Sequence, residues 1–462
     1  MGTTGAYHPV RILADIVRAG RGTPTGLESR QQDRFRRLVS FAREHSVFYG
    51  KMYSGLPSVI RDPGILPPVS KRDLMANFDG WATDDAVRRK TAEAFVADPS
   101  RIGRYYLDRH LAFSTSGTTG LPAVFLHDRG AVNVYLALML ARRLPALMAS
   151  GAKASFLGNR GRTATIITTG GHFTSSVIEA MARSRLPRLS GRNRTFSLLA
   201  PLPDLVRALN ELQPAIIGSY PTALAVLAGE QAAGRLRIRP ALALSGAERL
   251  SPAAAERIKR SFHCLLHDTY AASEFMGIAF DCRYGRLHLN ADWVILEPVD
   301  DTLRPVPPGT PSHSTLLTNL ANRVQPIIRY DLGDSVTMLP TRCPCGSPLP
   351  TIRPEGRRDE VLYLESPGGE LKPILPLVLA TVVEETAGIL SYQVIRSGAS
   401  RLRVRLDEAP GYDRTRVCDD LLRRLREYFS SMDLESVIVE LSGERPVRDP
   451  SGGKLRQFYA GQ

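Results

Sequence analysis

Helix-like and strand-like segments alternate regularly between Pro203 and Asp268. The helical segments begin near proline or a capping serine, and each short apolar run between them suits a buried strand. This alternation predicts a parallel sheet covered by helices. We expect helices at Asp204–Leu212, Pro221–Gly234 and 252–262, and strands at Ala215–Gly218, Leu242–Ser245 and Leu265–His267.

The loops that follow these strands are the expected place for a ligand. In open parallel sheets, ligands bind at the carboxyl ends of the strands. The loops in question are Ser219-Tyr220, Ser245 to Glu248 and Tyr270 to Glu274. Tyr220, and His172 after its two glycines, are candidate pocket-lining residues by position, although a structural turn residue is the favoured interpretation of His172.

The stretch from Phe113 to Pro122 alternates hydroxyl residues with glycine. Glycine lets backbone N–H groups turn towards an anion, and consecutive N–H groups form an anion-binding nest. No Gly-Lys-Ser/Thr follows, so the stretch is not a Walker loop. A flexible surface loop is an equally good interpretation of these residues alone. The candidate phosphate-binding residues are Thr115, Ser116, Gly117, Thr118, Thr119 and Gly120.

Length and cysteine content bound the class of protein. The 462 residues suggest two or three domains, and five cysteines favour a reducing, cytoplasmic location over a disulfide scaffold. We see no secretory signal at the N-terminus. The most apolar helical run, Val134 to Ala149, contains Arg142 and Arg143 and is too short and too charged to cross a bilayer. No membrane span is expected.

The net charge of +14 raises the question of nucleic-acid binding. Only seven of the 60 basic residues are lysines, and the basic residues are spread along the chain. Affinity for phosphorylated small molecules explains this distribution as well as a nucleic-acid surface does. We therefore expect no nucleic-acid partner, and a basic nucleic-acid-binding module remains the alternative from another class.

The segment from Gly356 to Leu362 is short and charged and is followed by a new set of elements. A hairpin (Tyr392–Ile395 with Leu402–Leu406), a basic helix (Tyr412–Phe429) and a glycine loop with one lysine are expected beyond it. We predict an α/β protein. A large N-terminal domain (residues 1–355), with mixed or parallel sheets flanked by helices, precedes a small α+β C-terminal domain (residues 356–462).

Six motifs occur along nearly the whole chain. They are Thr115 to Pro122, Ser245-Gly246-Ala247-Glu248, Tyr270-Ala271-Ala272-Ser273-Glu274, Tyr330 to Asp334, Gly356 to Asp359, and Gly453-Lys454. In this order and spacing they resemble the adenylate-forming superfamily, specifically its phenylacetate–CoA ligase-like branch. A single motif of this kind would be weak evidence, and six in order are strong.

The resemblance implies that the protein joins a carboxylic acid to the AMP moiety of ATP and releases pyrophosphate. Such chemistry brings two anions together, so it depends on charge neutralisation and alignment. The resemblance implies that residues 115–120 bind the β- and γ-phosphates and that residues 245–248, with Tyr270, Ala271 and Ser273, contact the adenine side of the nucleotide. It implies that Glu274 binds Mg²⁺ and that Asp334 binds the ribose. Arg357 would contact the ribose and the phosphates, and Lys454 would be catalytic.

The resemblance also implies the co-substrates. A small carboxylic acid, aromatic or otherwise, would be activated and then transferred to CoA after the C-terminal domain rotates about a hinge. Deazaflavin-coenzyme adenylating synthetases share this branch, so an amine, a carrier protein or a coenzyme remains open as the acceptor. A degenerate nucleotide-binding regulator is a further alternative. A homodimer is compatible with the sequence.

The sequence departs from the superfamily pattern at three positions. Ala123 stands where many members of the superfamily have lysine, and the phenylacetate-ligase branch also often lacks that lysine. Ala271 replaces the glycine of the Tyr-Gly-x-Thr-Glu motif and requires a permitted backbone conformation there. Ser273 replaces the threonine of that motif and keeps a hydroxyl.

Three thiols and an imidazole form a candidate zinc set. Cys282 and His288 flank a possible tight turn at Tyr284-Gly285, and Cys343 and Cys345 flank a proline before Gly346. Cys₃His is a normal closed structural zinc site, and similar ligands occur in relatives of the branch. The alternative is two unrelated cysteine turns in a reduced protein. The remaining thiols, Cys264 and Cys418, are expected to be ordinary buried cysteines.

Overall fold

The computed structural model describes residues 8–115, 123–149, 161–167, 171–185, 192–198, 200–374, 376–409, 411–448 and 455–461. Within these residues, no helix is both long and apolar enough to cross a membrane.

Helices and strands are mixed along the chain, as an α/β fold requires. The helices are α1 Pro9–Gly20, α2 Pro24–His45, α3 Val47–Met52, α4 Lys71–Ala76, α5 Phe78–Trp81, α6 Arg89–Ala97, α7 Arg129–Ala149, α8 Thr174–Arg185, α9 Leu202–Leu212, α10 Pro221–Ala232, α11 Pro252–Phe262, α12 Pro376–Glu384 and α13 Arg414–Ser430. The strands are β1 Tyr105–Tyr106, β2 His110–Ser114, β3 Val124–Asp128, β4 Thr163–Ile167, β5 Asn193–Ser197, β6 Ile216–Ser219, β7 Leu242–Gly246, β8 Leu265–Ala272, β9 Phe275–Asp281, β10 Leu287–Leu289, β11 Val294–Val299, β12 Ser314–Asn319, β13 Tyr330–Asp331, β14 Asp334–Met338, β15 Thr351–Arg357, β16 Leu362–Glu365, β17 Leu371–Ile374, β18 Ile389–Gly398, β19 Arg401–Glu408, β20 Ile438–Leu441 and β21 Phe458–Ala460.

A nine-stranded mixed sheet is the centre of the large part. Its order is β14-β15-β10-β9-β8-β7-β6-β4-β5. The strands from β5 to β8 are parallel, as the alternating pattern predicts, and the pairs from β8 outward are antiparallel. The prediction of a loop at Tyr270–Glu274 was wrong in part, because β8 continues through Tyr270 to Ala272 and pairs with β9. Threonine and tyrosine favour this extended backbone.

Helices α9 to α11 cover the parallel half of the sheet. Leu209, Leu224 and Ile258, one from each helix, are fully buried in one core with sheet residues. Ser251 caps α11 as predicted, because its side chain accepts a hydrogen bond from the Ala254 N–H at 3.1 Å. The alternating segment therefore forms the predicted sheet-and-helix layer.

The C-terminal elements enclose a hydrophobic core of their own. Strands β20, β19, β18 and β21 form one sheet, and α12 and α13 supply the helical layer. The predicted hairpin is β18–β19, and the predicted basic helix is α13. Leu421, Leu425 and Phe429 of α13 are buried in this core. This α+β region completes the predicted fold class, whereas the boundary at residue 356 stays a prediction.

A substitution in α13 tests whether this core unfolds on its own. Leu421 is fully buried, so Leu421→Ala is expected to cost about 2–5 kcal/mol of local stability. Hydrogen exchange followed by mass spectrometry should show faster exchange in β18, β19 and α13 and unchanged exchange in α2. The control is Arg423→Ala, on the exposed face of the same helix. Equal deprotection of α2 would contradict separate cores.

Candidate functional site

A cavity of about 1820 Å³ opens beside the carboxyl ends of β6, β7 and β8. All the described candidates for nucleotide contact line this cavity. They are Thr115, Ser245, Gly246, Ala247, Glu248, Tyr270, Ala271, Ser273, Glu274, Asp334 and Arg357. Ser116, Gly117, Thr118, Thr119, Gly120 and Lys454 lie outside the described residues, so their predicted roles stay predictions.

Asp334 is held between two donors on one wall of the cavity. The Tyr270 hydroxyl donates to its Oδ2 atom at 2.7 Å, and the Arg357 guanidinium donates to its Oδ1 atom at 3.0 Å. The register of β14 and β15 explains the second contact, because Asp334 and Arg357 are directly opposite each other. Each carboxylate oxygen has a further lone pair, so Asp334 can still accept bonds from a ligand's hydroxyl groups.

Glu274 is a second carboxylate on the same wall. Its side chain is buried and accepts a hydrogen bond from the Tyr330 hydroxyl. Burial raises the pKa of Glu274, the Asp334 charge raises it further, and Lys71 lowers it. Buried negative charge of this kind favours a nearby cation. Glu274 therefore fits the predicted magnesium-binding role.

Lys71 is a lining residue that the sequence patterns did not identify. It begins α4, which Ser70 and Asp73 cap, and it lines the cavity close enough to act on the Glu274 charge. The scarcity of lysine in this arginine-rich chain was the only local signal. Positive charge at the site thus has a contributor besides Arg357.

A buried hydrogen-bond network fixes the turn that carries Ser273 and Glu274. His127 donates from Nε2 to the Ser273 carbonyl at 2.9 Å, which leaves its Nδ1 to accept from the Tyr135 hydroxyl at 2.9 Å. The Asn319 amide donates both to the Tyr135 oxygen and to the Glu274 carbonyl, each at 2.8 Å. Sequence patterns missed His127, Tyr135 and Asn319, because none is near Glu274 in the chain.

Ala271 replaces the glycine of the family motif, so the backbone conformation at this position decides whether alanine is tolerated there. Ala271 lies in β8, at an irregularity in the pairing with β9, and its φ is not positive, so this position does not require glycine. Ala247, in the Ser245–Glu248 turn, instead has a left-handed φ of 68°. Non-glycine residues rarely adopt this conformation, and such positions cluster at functional sites.

The base of the hydroxyl-glycine loop is closed by Thr115. Its N–H donates to the Ala123 carbonyl, and its hydroxyl accepts from the Ala123 N–H, both at 3.0 Å. Tyr220 lines the cavity as expected. His172 is not part of the cavity lining, because its ring is buried against Phe95, with ring centres 5.6 Å apart, which agrees with the favoured structural interpretation of this residue.

Three lining groups at the end of the cavity near β8 and β9 have polar atoms shielded from solvent. Arg143 Nε, Asp268 Oδ1 and Thr269 Oγ1 have no hydrogen-bond partner among the described residues. The Arg143 guanidinium lies 5.0 Å from the Phe280 ring centre, and burial raises the pKa of Asp268 to about 6. Buried polar atoms are normally paired, so a ligand's polar atoms are expected here.

The four candidate zinc ligands come together. One ligand atom from each of Cys282, His288, Cys343 and Cys345 lies within 4.8 Å of the others. The predicted turns form, since Gly285 and Gly346 both have left-handed φ values and their N–H groups donate back to the Cys282 and Cys343 carbonyls. The group joins β9, β10 and the loop between β14 and β15.

The geometry of this cluster suits a tetrahedral metal. Cys282 Sγ is 3.6 Å from Cys343 Sγ, and Cys345 Sγ is 3.3 Å from His288 Nε2, close to the edges of about 3.3–3.8 Å in a tetrahedral zinc site. The sulfur separation excludes a disulfide. His288 Nδ1 donates to the Leu349 carbonyl at 3.2 Å, which directs the Nε2 lone pair towards the thiols. The residues therefore fit zinc.

Solved structures share this fold. A 2-hydroxyisobutyryl-CoA ligase in the postadenylation state, in complex with 2-HIB-AMP, matches with a TM-score of 0.64 at 18% identity, covering 100% of this chain and 94% of that one. The same enzyme in complex with R3-HIB-AMP gives 0.62 at 18% identity, covering 99% and 93%. The protein thus has the fold of the acyl-adenylate-forming ligases. No family model and no curated protein sequence matches this chain.

In the thioesterification state with 2-HIB-AMP and CoA, that ligase matches with a TM-score of 0.51 at 19% identity, covering 96% of this chain and 91% of that one.

The buried imidazole of His127 predicts a pH dependence of stability. Burial lowers the pKa of His127 to about 4, below the unfolded value of about 6.5, so the unfolded chain binds more protons between these values. Stability should fall by about 2–3 kcal/mol as pH drops from 7 to 4.5 on account of this group. Urea unfolding followed by tryptophan fluorescence should show a shallower pH dependence for His127→Gln.

The matched control for this measurement is Gln32→Ala. Gln32 is exposed in α2 and does not titrate, so its replacement should leave the pH dependence unchanged. An unaltered slope in His127→Gln would contradict the neutral, buried state of His127.

Proposed function

We propose that the protein activates a carboxylic acid with ATP, forming an acyl-adenylate and pyrophosphate. The observation that carries this proposal is the juxtaposition of Asp334, Tyr270, Arg357 and Glu274 on one wall of a large cavity. Three separate motifs supply these groups: Tyr270 and Asp334 are 64 positions apart, and Asp334 and Arg357 are 23 positions apart. The fold shared with acyl-adenylate-forming ligases supports the same conclusion.

The first step would be attack of a substrate carboxylate oxygen on the α-phosphorus of ATP, with pyrophosphate leaving. Asp334 would accept hydrogen bonds from the ribose hydroxyls, while Tyr270 and Arg357 keep its carboxylate in place. Arg357 would also place positive charge beside the phosphates. The hydroxyl-glycine loop would bind the departing phosphates, and Lys454 would bridge the carboxylate and the α-phosphate.

Glu274 would hold the magnesium ion of the nucleotide. A bound Mg²⁺ would neutralise phosphate charge during the displacement. Lys71, on the same wall, would compensate part of the charge of Glu274 and of the phosphates. This arrangement accounts for the absence of lysine at position 123, because other cations surround the reacting centre.

The second step would be attack of an acceptor on the acyl carbonyl with release of AMP. We infer CoA as the acceptor, since the ligase structures that share this fold over the whole chain are CoA ligases. An amine, a carrier protein or a coenzyme is the alternative acceptor. In α13, Arg414, Arg423 and Arg424 form ion pairs with acidic neighbours, so that helix offers less free positive charge to an acidic carrier than its sequence suggests.

We further propose that Cys282, His288, Cys343 and Cys345 bind a structural zinc ion. Without a cation, burial raises the pKa of the Cys345 thiol to about 11, so a metal is needed to hold it as a thiolate. A set of four protein ligands leaves no open position for chemistry. The ion would fasten the strands that present Asp334 and Arg357.

The adenylation step is tested by pyrophosphate exchange. Labelled pyrophosphate should enter ATP only when a suitable carboxylic acid is present, and Lys454→Ala should lower that rate by about 10²–10³-fold because transition-state charge stabilisation is lost. Lys90→Ala, at an exposed lysine of α6, is the matched control and should keep full activity.

The acids for this assay should include pairs that differ only in a polar group far from the carboxylate. The reason is that Arg143, Asp268 and Thr269 line the cavity and their polar atoms are expected to pair with such a group. If folded, metal-replete protein gives no exchange with any acid of a broad panel, the proposal is wrong.

The zinc proposal is tested by metal analysis. Dialysed protein should contain about one zinc per chain, and Cys343→Ser combined with Cys345→Ser should remove it, since two of four ligands are lost. The matched control, Cys264→Ser combined with Cys418→Ser, should retain zinc because neither residue belongs to the cluster. Stoichiometric zinc in the Cys343/Cys345 double variant would rule out this ligand set.

A further inference from the structure

The Glu248 carboxylate is bound by two segments that are far apart in the sequence. Its Oε2 atom accepts from the Thr222 hydroxyl at 2.7 Å and from the Thr222 N–H at 3.3 Å, at the start of α10. Its Oε1 atom accepts from the Leu455 N–H at 2.9 Å. One carboxylate therefore joins the large part of the chain to the C-terminal segment.

Arg448 reinforces this connection from the C-terminal side. Its Nη2 atom donates to the Thr222 hydroxyl oxygen at 3.2 Å, and its Nη1 atom lies 3.9 Å from Glu248 Oε1. The side chains of Arg448 and Glu248 are 24% and 8% exposed, so water competes weakly for these bonds. We call Thr222, Glu248, Arg448 and the Leu455 amide the docking cluster.

The docking cluster includes residues next to the proposed catalytic lysine and in the Ser245–Glu248 turn. Leu455 directly follows Lys454, and Glu248 ends the turn in which Ala247 has a left-handed backbone. Another described contact between the two parts is the hydrogen bond that Arg257 donates to the Ile389 carbonyl at 3.1 Å. Neither of these residues is next to a motif residue in the sequence. The cluster thus anchors the backbone beside the proposed catalytic lysine.

We propose that Glu248 is a positioning residue that docks the C-terminal segment for adenylation and must release it for the transfer step. This inference rests on the proposed function, in which Lys454 assists only the first step. Hydrogen bonds to a carboxylate are stronger than neutral ones, yet they exchange readily once water enters. Glu248 therefore sets the balance between two arrangements rather than contacting the reacting atoms.

Separate assays of the two half-reactions test this role. Glu248→Ala should slow pyrophosphate exchange about tenfold or more, because a buried charge-assisted bond is lost. Thioester formation from chemically prepared acyl-adenylate and CoA should change less than about twofold, because docking is not needed there. Glu248→Gln, which can still accept from Leu455, should recover part of the exchange rate. Glu211→Ala, at an exposed position of α9, is the control.

An equal loss in both half-reactions would overturn the proposal, because it would assign Glu248 to nucleotide binding or to folding. An unchanged exchange rate in Glu248→Ala would also overturn it.

Hydrogen exchange of the resting protein gives a readout that is independent of activity. The peptide that contains residues 455–461 should lose protection in Glu248→Ala and in Thr222→Val, while α13 stays protected. Unchanged protection of that peptide overturns the docking role even where Glu248→Ala slows pyrophosphate exchange. If the wild-type protein exchanges no pyrophosphate while Glu248→Ala and Thr222→Val show the expected loss of protection, the proposed function is refuted and the docking contact stands.

Discussion

Two carboxylates, those of the buried Glu274 and the half-buried Asp334, share one wall of the cavity and repel each other. Their charges are tolerable only because Tyr330 and Tyr270 donate hydroxyl hydrogens, while Arg357 and Lys71 supply positive charge. A site with this excess of acceptors is poised for cations and hydroxyl donors, which are what a magnesium nucleotide offers. The requirement to bring these groups together explains the arrangement of the surrounding elements.

The supporting structure fixes each carboxylate from behind. Glu274 depends on the network of His127, Tyr135 and Asn319, which ties the β8–β9 turn to α7 and β12. Asp334 depends on the pairing of β14 with β15, whose connecting loop carries two of the four clustered metal-ligand candidates. Stability and the proposed function are thus coupled here, since loosening either support would displace a carboxylate of the proposed site.

The sequence was informative wherever the relevant residues are close along the chain. Strand–helix alternation predicted the parallel half of the sheet, and residues of five of the six motifs line the cavity. Contacts between distant segments were not predictable, because local periodicity carries no information about them. His127 meets Ser273 across 146 positions, and Glu248 meets Leu455 across 207. The structural interpretation favoured for His172 agrees with its burial against Phe95, a contact that the sequence did not identify.

In the proposed reaction, the carboxylic acid is activated by attack on the α-phosphorus of ATP. The most direct measurement follows oxygen from a carboxylic acid labelled with ¹⁸O at both positions, with CoA or hydroxylamine as acceptor. If an acyl-adenylate forms, mass spectrometry should find one ¹⁸O in the AMP released at each turnover. Unlabelled AMP, or ¹⁸O in inorganic phosphate together with ADP, would contradict the account.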